Sequence, residues 1–189
     1  RKNRHYGPSS GGSRVLVDGQ MSFKVLRRAI ILILFLVLPV TCLLFIYSSG
    51  SPTDISIMLA SLFILAIGYT LPPLKLSYRT LGEIDVGITH SVAVILCGFV
   101  FQGGSLSDGF PWLLSIPLFF SILPSIILAG IPDHDADVSV EKKTIPVRFG
   151  KQRAVTIAMF CTVCSVIGAV LLHFLPTTAH VYTVSIFAI

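Results

Sequence analysis

The stretch GIPDHDADVSVEKKTIPVRFG, Gly130 to Gly150, sets three aspartates at alternate positions ahead of a basic run and lies between two strongly apolar segments. Hard divalent cations prefer carboxylate oxygens, and magnesium is usually held by one or two carboxylates with phosphate oxygens completing its shell. Asp133, Asp135 and Asp137 beside Lys142, Lys143 and Arg148 can therefore gather a divalent cation and a diphosphate. A calcium-loop reading of the same aspartates fails. Counted from Asp133, the sixth position is Val138 where glycine belongs, and the twelfth is Thr144 where a bidentate glutamate belongs. If the segment is helical, Asp133 and Asp137 stack at i and i+4 on one face and Asp135 turns away. Stacked like charges repel, and a cation between them removes the repulsion. Pro132 suits the start of such a helix.

The segments on either side decide the fold class. Of 189 residues, 53% are hydrophobic and only 12% are charged, and the mean hydropathy is +0.86. Five apolar runs, 29–48, 55–71, 84–101, 112–131 and 154–175, each approach the ~20 residues that cross a hydrocarbon core, and a sixth begins near Thr177 and runs to Ile189. Strands of a membrane barrel would alternate in polarity, whereas these runs are continuous and can satisfy their backbones in lipid only as helices. The expectation is an all-α, polytopic transmembrane helical bundle forming one domain across residues 1–189. Pro39 in the first run and Pro117 and Pro124 in the fourth suggest kinked helices around a cavity.

If the segments alternate in direction, all fourteen Lys and Arg residues fall on one side, in Arg1 to Arg28 and in the 71–83 and 131–153 loops. The opposite loops carry none, an asymmetry that marks the basic side as cytoplasmic. Orientation thus accounts for the net charge of +5, and nucleic acid is not invoked. Residues 1–28 read as a polar loop leading into a short interfacial helix, with Lys24, Arg27 and Arg28 at headgroup depth. Cys42, Cys97, Cys161 and Cys164 lie inside apolar runs and read as small packing residues. His173 and His180 flank a loop on the far side and are assigned no chemistry.

A second polar stretch, GYTLPPLKLSYRTLGEIDVG from Gly68 to Gly87, breaks a helix at Pro72 and Pro73 and carries Lys75, Arg79, Tyr69 and Tyr78 at interface depth. Glu83 and Asp85 then enter the next span. Carboxylates at that depth are costly unless they face protein or water, so both are functional candidates. His90, seven residues beyond Glu83, shares its helical face. In GGSRVLVDG, Arg14 follows a glycine pair that would let it fold over an anionic ligand.

Together these motifs carry a resemblance. DHDAD followed by KKTIPVRFGKQRA resembles the second aspartate-rich motif of the UbiA superfamily of intramembrane prenyltransferases, a DxxxD ahead of a K/R-T-x-x-V-R-x-G stretch. YTLPPLKLSYRTLGE is similar to the Tyr-x-x-Pro-Pro-x-Arg/Lys loop of that family. GGSRVLVDGQMS resembles the loop after its first aspartate-rich motif, especially in the branch that prenylates dihydroxynaphthoate. In the family, an N-x-x-x-D-x-x-x-D motif precedes that loop and supplies the other half of the metal site, yet no aspartate occurs here before Asp18. The resemblance implies a piece of a longer protein, truncated at both ends and inactive alone, with aspartates encoded upstream of Arg1.

The resemblance further implies magnesium-dependent transfer of a polyprenyl group from its diphosphate to an aromatic acceptor, a quinone precursor, within the bilayer. Asp133 and Asp137 would hold Mg2+, with Asp135 in support. Lys75, Arg79, Lys142, Lys143, Arg148 and Arg14 would contact the diphosphate. Tyr69 would bond a phosphate or position the allylic group. Glu83, Asp85 and His90 remain open candidates for orienting or deprotonating the acceptor. A non-enzymatic transporter or lipid-binding membrane protein with an acidic cytoplasmic loop is the competing class. A membrane phosphotransferase would need DGxxAR spacing, which this chain lacks.

Overall fold

The computed structural model describes residue 16 and residues 18–175, and within them every regular element is a helix. The sixth apolar run, Arg14 and His180 lie outside the described residues. Among the described residues four helical stretches, 23–47, 82–101 (taken across a break at Ser91), 109–129 and 151–173, are long and apolar enough to cross a membrane. The first, α1 (Phe23–Tyr47), starts at Ser22, whose side chain accepts the Val25 N–H at 3.3 Å. Lys24, Arg27 and Arg28 thus sit in the opening turns of the span itself instead of in a separate interfacial helix. Nothing in α1 is buried, so its apolar surface is turned outward along its whole length.

α2 (Pro52–Gly68) stops short of residue 71 because the Pro72 and Pro73 pair cannot continue it. The run expected over 84–101 is two helices, α3 (Gly82–His90) and α4 (Val92–Phe101), broken at Ser91. At the break the Ser91 backbone leaves helical geometry, with φ −122° and ψ −76°, and neighbouring hydroxyls bond back to the preceding turn. The Ser91 hydroxyl donates to Gly87 O at 2.6 Å and the Thr89 hydroxyl to Asp85 O at 2.9 Å. α5 (Gly109–Ala129) and α8 (Lys151–His173) each begin three residues before the apolar run, since backbone hydrogen bonding does not stop at a hydrophobic boundary.

α5 and α8 form the main packed pair. Leu123 and Ile127 of α5 meet Ala154, Ala158 and Cys161 of α8, joined by Ile145. Small residues on α8 allow the close approach that holds helices together in lipid. Ser165 also donates to Pro117 O at 2.8 Å, joining α8 to α5 at the proline turn. On the other side α3 lies against α5, where a methyl group at Gly87 would stand 2.8 Å from Phe119 Cε2. Ile55 and Met58 of α2 pack on Leu96 and Val100 of α4.

Contacts between loops sort the ends of the bundle. At one end, Asp54 Oδ2 accepts the Ser105 hydroxyl at 3.0 Å and Leu106 N–H at 3.1 Å, while the Ser48 hydroxyl donates to Phe101 O at 2.9 Å. At the other, the 69–82 segment meets α6 (His134–Ser139) and α7 (Ile145–Phe149). The two basic loops thus share one end, as the alternating-direction reading requires.

Candidate active site: the carboxylate cavity

The 69–82 segment is shaped by local hydrogen bonds. Ser77 donates to Tyr69 O from both its backbone N–H, at 3.0 Å, and its hydroxyl, at 2.8 Å. The two non-glycine residues flanking the short 3-10 turn Leu76–Tyr78, Lys75 (φ 47°) and Thr80 (φ 64°), adopt the left-handed region. Such residues cost of order 1–3 kcal/mol each and persist where surrounding contacts hold them. For Thr80 that contact includes Arg148 Nη1, which donates to its hydroxyl at 3.3 Å.

Across from this segment, α6 follows Asp133, and Asp137 N–H bonds Asp133 O at 2.8 Å. That turn brings both aspartates to one face. They line a cavity of about 180 Å³ with Glu83, Lys142, Tyr69 and Thr144, floored by Ile126 and Ala129 of α5. Asp135 turns away: it meets His134 Nδ1 at 2.7 Å, and its side chain is 68% exposed against 12% for Asp137. Lys142 Nζ lies 3.3 Å from Asp137 Oδ1. Gly150 (φ 85°) ends α7 and opens α8, a turn that favours glycine.

Glu83, an open candidate for orienting the acceptor, lines the carboxylate cavity. Its Oε1 accepts the Ile145 N–H at 2.6 Å, joining α3 to α7, and its Oε2 is buried without a partner. Thr144 Oγ1, on the same wall, is likewise buried and unpartnered. Each such atom costs about 1–3 kcal/mol unless a ligand or water satisfies it. Asp85 is buried with Oδ1 unpartnered but does not line this cavity. His90 is exposed and bonds its own helix, Nδ1 lying 3.0 Å from Val86 O. The seven-residue spacing puts it on the face of Glu83 but about 10 Å further along the helix.

The candidate cations divide. Lys142 lines the cavity, whereas Arg79, Lys143 and Arg148 line a separate open cleft with Tyr78 and Val147. Lys75 Nζ stands 5.6 Å from the centre of the Tyr78 ring. Tyr69, just past the end of α2, keeps its proton: burial pushes its phenol up, Lys142 opposes this, and Glu83, Asp137 and Asp85 reinforce it. It therefore enters the cavity as a hydrogen-bond donor.

Sequence reasoning missed Thr144 and the cavity position of Glu83. Thr144 is the threonine of KKTIPVRFG, so the motif contained the signal, but only the fold places this residue on the cavity wall. Further along the α3–α5 pair, past the Gly87–Phe119 contact, an apolar cleft of about 610 Å³ is lined by Ile88, Val92, Trp112, Ile116, Phe119 and Phe120.

No curated protein and no solved structure matches the chain. A family model described as the UbiA prenyltransferase family matches residues 10–189, a range that takes in the polar stretches that build the cavity. With long apolar helices and a polar cavity at one end of their bundle, the chain is an integral membrane protein that belongs to the UbiA prenyltransferase family.

Proposed function

We propose that the carboxylate cavity of this chain belongs to a magnesium-dependent site that transfers a polyprenyl group from its diphosphate to an aromatic, quinone-precursor acceptor. The observation that carries the proposal is the make-up of the cavity. Three carboxylates, Glu83, Asp133 and Asp137, line it with a single ammonium, Lys142. An anionic diphosphate would be repelled from such a cavity unless cations accompanied it. The buried, unpartnered Glu83 Oε2 adds an oxygen of the kind that hard cations and their waters seek. Among the described residues no three potential ligands stand close enough to hold a metal alone. Magnesium leaves most of its shell to phosphate and water.

Asp133 and Asp137 would hold the ion, and Asp135, exposed on the opposite face, would act only through its charge. When bound, magnesium would neutralise charge developing on the departing diphosphate. Lys142 shares that task as a preplaced cation, and Tyr69 donates a hydrogen bond from its protonated phenol. Arg79, Lys143 and Arg148 attract the anionic donor from their neighbouring cleft, an effect that raises its local concentration. The apolar α3–α5 cleft accommodates the prenyl tail. Residues 1–189 constitute one transmembrane domain whose basic loops face the cytoplasm.

Alanine at Asp133 and Asp137 in the full-length, membrane-embedded protein should abolish prenyl transfer from a radiolabelled prenyl diphosphate to a panel of phenolic acceptors. Turnover retained by the double variant would refute the assignment.

A further inference from the structure

We infer that Trp112 is a specificity-determining residue that limits the length of prenyl tail the protein accepts, because its indole walls off one apolar cleft from a second. The inference rests on the reading above that the α3–α5 cleft holds the tail, and adds to it which donors are preferred.

The α3–α5 cleft of about 610 Å³ has a neighbour of about 220 Å³ between α2 and α4, lined by Met58, Leu62, Leu65 and Leu96. Ile88, Val92 and Trp112 line both clefts, and Trp112 has by far the largest side chain of the three. Its indole is also tethered. Nε1 donates to Leu106 O at 2.9 Å, and Leu106 itself lines the smaller cleft. A tryptophan that only anchors a helix at the lipid interface turns its N–H to the wet side, whereas this one commits it to the protein. The position of the partition sets a length. Trp112 precedes Ile126, on the floor of the carboxylate cavity, by fourteen residues of α5, about 21 Å at the rise of an α-helix. Carbon–carbon bonds of about 1.5 Å make an extended isoprene unit about 5 Å long, so about four units lie between the diphosphate end and the indole. Outside the protein the tail is already dissolved in lipid, so further apolar length gains little on entering the cleft and steric fit decides. A longer tail meets the indole.

The test uses the full-length, membrane-embedded protein with magnesium and compares kcat/KM for geranylgeranyl and solanesyl diphosphates. The ratio is taken within each variant, so a general loss of folded protein cancels. The parent should prefer the geranylgeranyl donor by about tenfold or more. Trp112→Ala should remove that preference by joining the two clefts. Adding Leu62→Trp to Trp112→Ala refills the smaller cleft and should restore the parental ratio. A solanesyl diphosphate carrying a photoreactive diazirine at its tail end gives a second readout by mass spectrometry: it should label Leu62 or Leu65 in Trp112→Ala and neither in the parent. A donor ratio unchanged in Trp112→Ala, one not restored by Leu62→Trp, or labelling of Leu62 or Leu65 in the parent would overturn the inference. If the parent turns over neither donor, and a geranylgeranyl probe of the same kind labels none of Ile116, Phe119 and Phe120, the tail reading of the cleft itself falls.

Discussion

Replacing Asp137 with Asn keeps the side-chain shape and an oxygen facing Lys142, but removes one of the three negative charges in the cavity. The magnitude follows from burial. Two unit charges 4 Å apart interact by about 1 kcal/mol in water and about 4 kcal/mol at the effective dielectric near a protein surface, and a divalent ion doubles either figure. The Asp137 side chain is 12% exposed and lies in the second regime, whereas that of Asp135 is 68% exposed and lies in the first. The amide oxygen and solvent relaxation recover part of the loss. We therefore expect Asp137→Asn to raise the magnesium concentration for half-maximal rate at least ~100-fold, about 2.7 kcal/mol. Asp135→Asn should shift it less than about threefold, roughly 0.6 kcal/mol. Initial rates against free magnesium, at saturating prenyl diphosphate in lipid nanodiscs, would measure both. Equal shifts in the two variants, or an unchanged midpoint for Asp137→Asn, would refute the argument that cavity charge governs metal binding.

Neutralising Arg79, Lys143 and Arg148 together should raise the donor KM several-fold at low ionic strength and much less at about 0.5 M salt, where attraction between charges is screened within a few ångströms. An effect independent of salt would point to direct contact instead of attraction at a distance. Tyr69 should titrate above its ordinary value of 10.0, so the tyrosinate absorbance lost in Tyr69→Phe should belong to a component that ionises above pH 10. A component ionising below pH 10 would contradict the burial seen for this phenol. Valine at Gly87 would press on Phe119 and Leu123, where even a methyl carbon stands 2.8 Å from the nearest ring atom. Overpacking of this kind costs about 1–3 kcal/mol and should lower the unfolding midpoint in detergent. An unchanged midpoint would mean the α3–α5 contact relaxes freely.

Much of the architecture was legible because lipid imposes a local rule. A long apolar run must satisfy its own backbone as a helix, so hydropathy located α2, α5 and α8 to within three residues and α1 to within six. The break at Ser91 escaped that reading. Whether a serine or threonine hydroxyl bonds back to its own helix depends on rotamer and packing, which a hydropathy pattern does not encode.

The candidate site was legible to a lesser depth. Helical spacing alone paired Asp133 with Asp137 and turned Asp135 away, and α6 places them so, because i and i+4 geometry is a property of any helix. The same reasoning put His90 on the face of Glu83, but periodicity reports direction and says nothing of depth.

What the sequence determined by itself was therefore the class of molecule, the helical spans and the facing of the aspartates, each governed by interactions within one segment. Tertiary structure decided the rest. It brought Glu83 to Ile145 across 62 residues and separated Lys142 from Arg79, Lys143 and Arg148. These outcomes depend on how α3, α5 and α7 pack, and a chain of residue types carries no distance between segments until the fold supplies one.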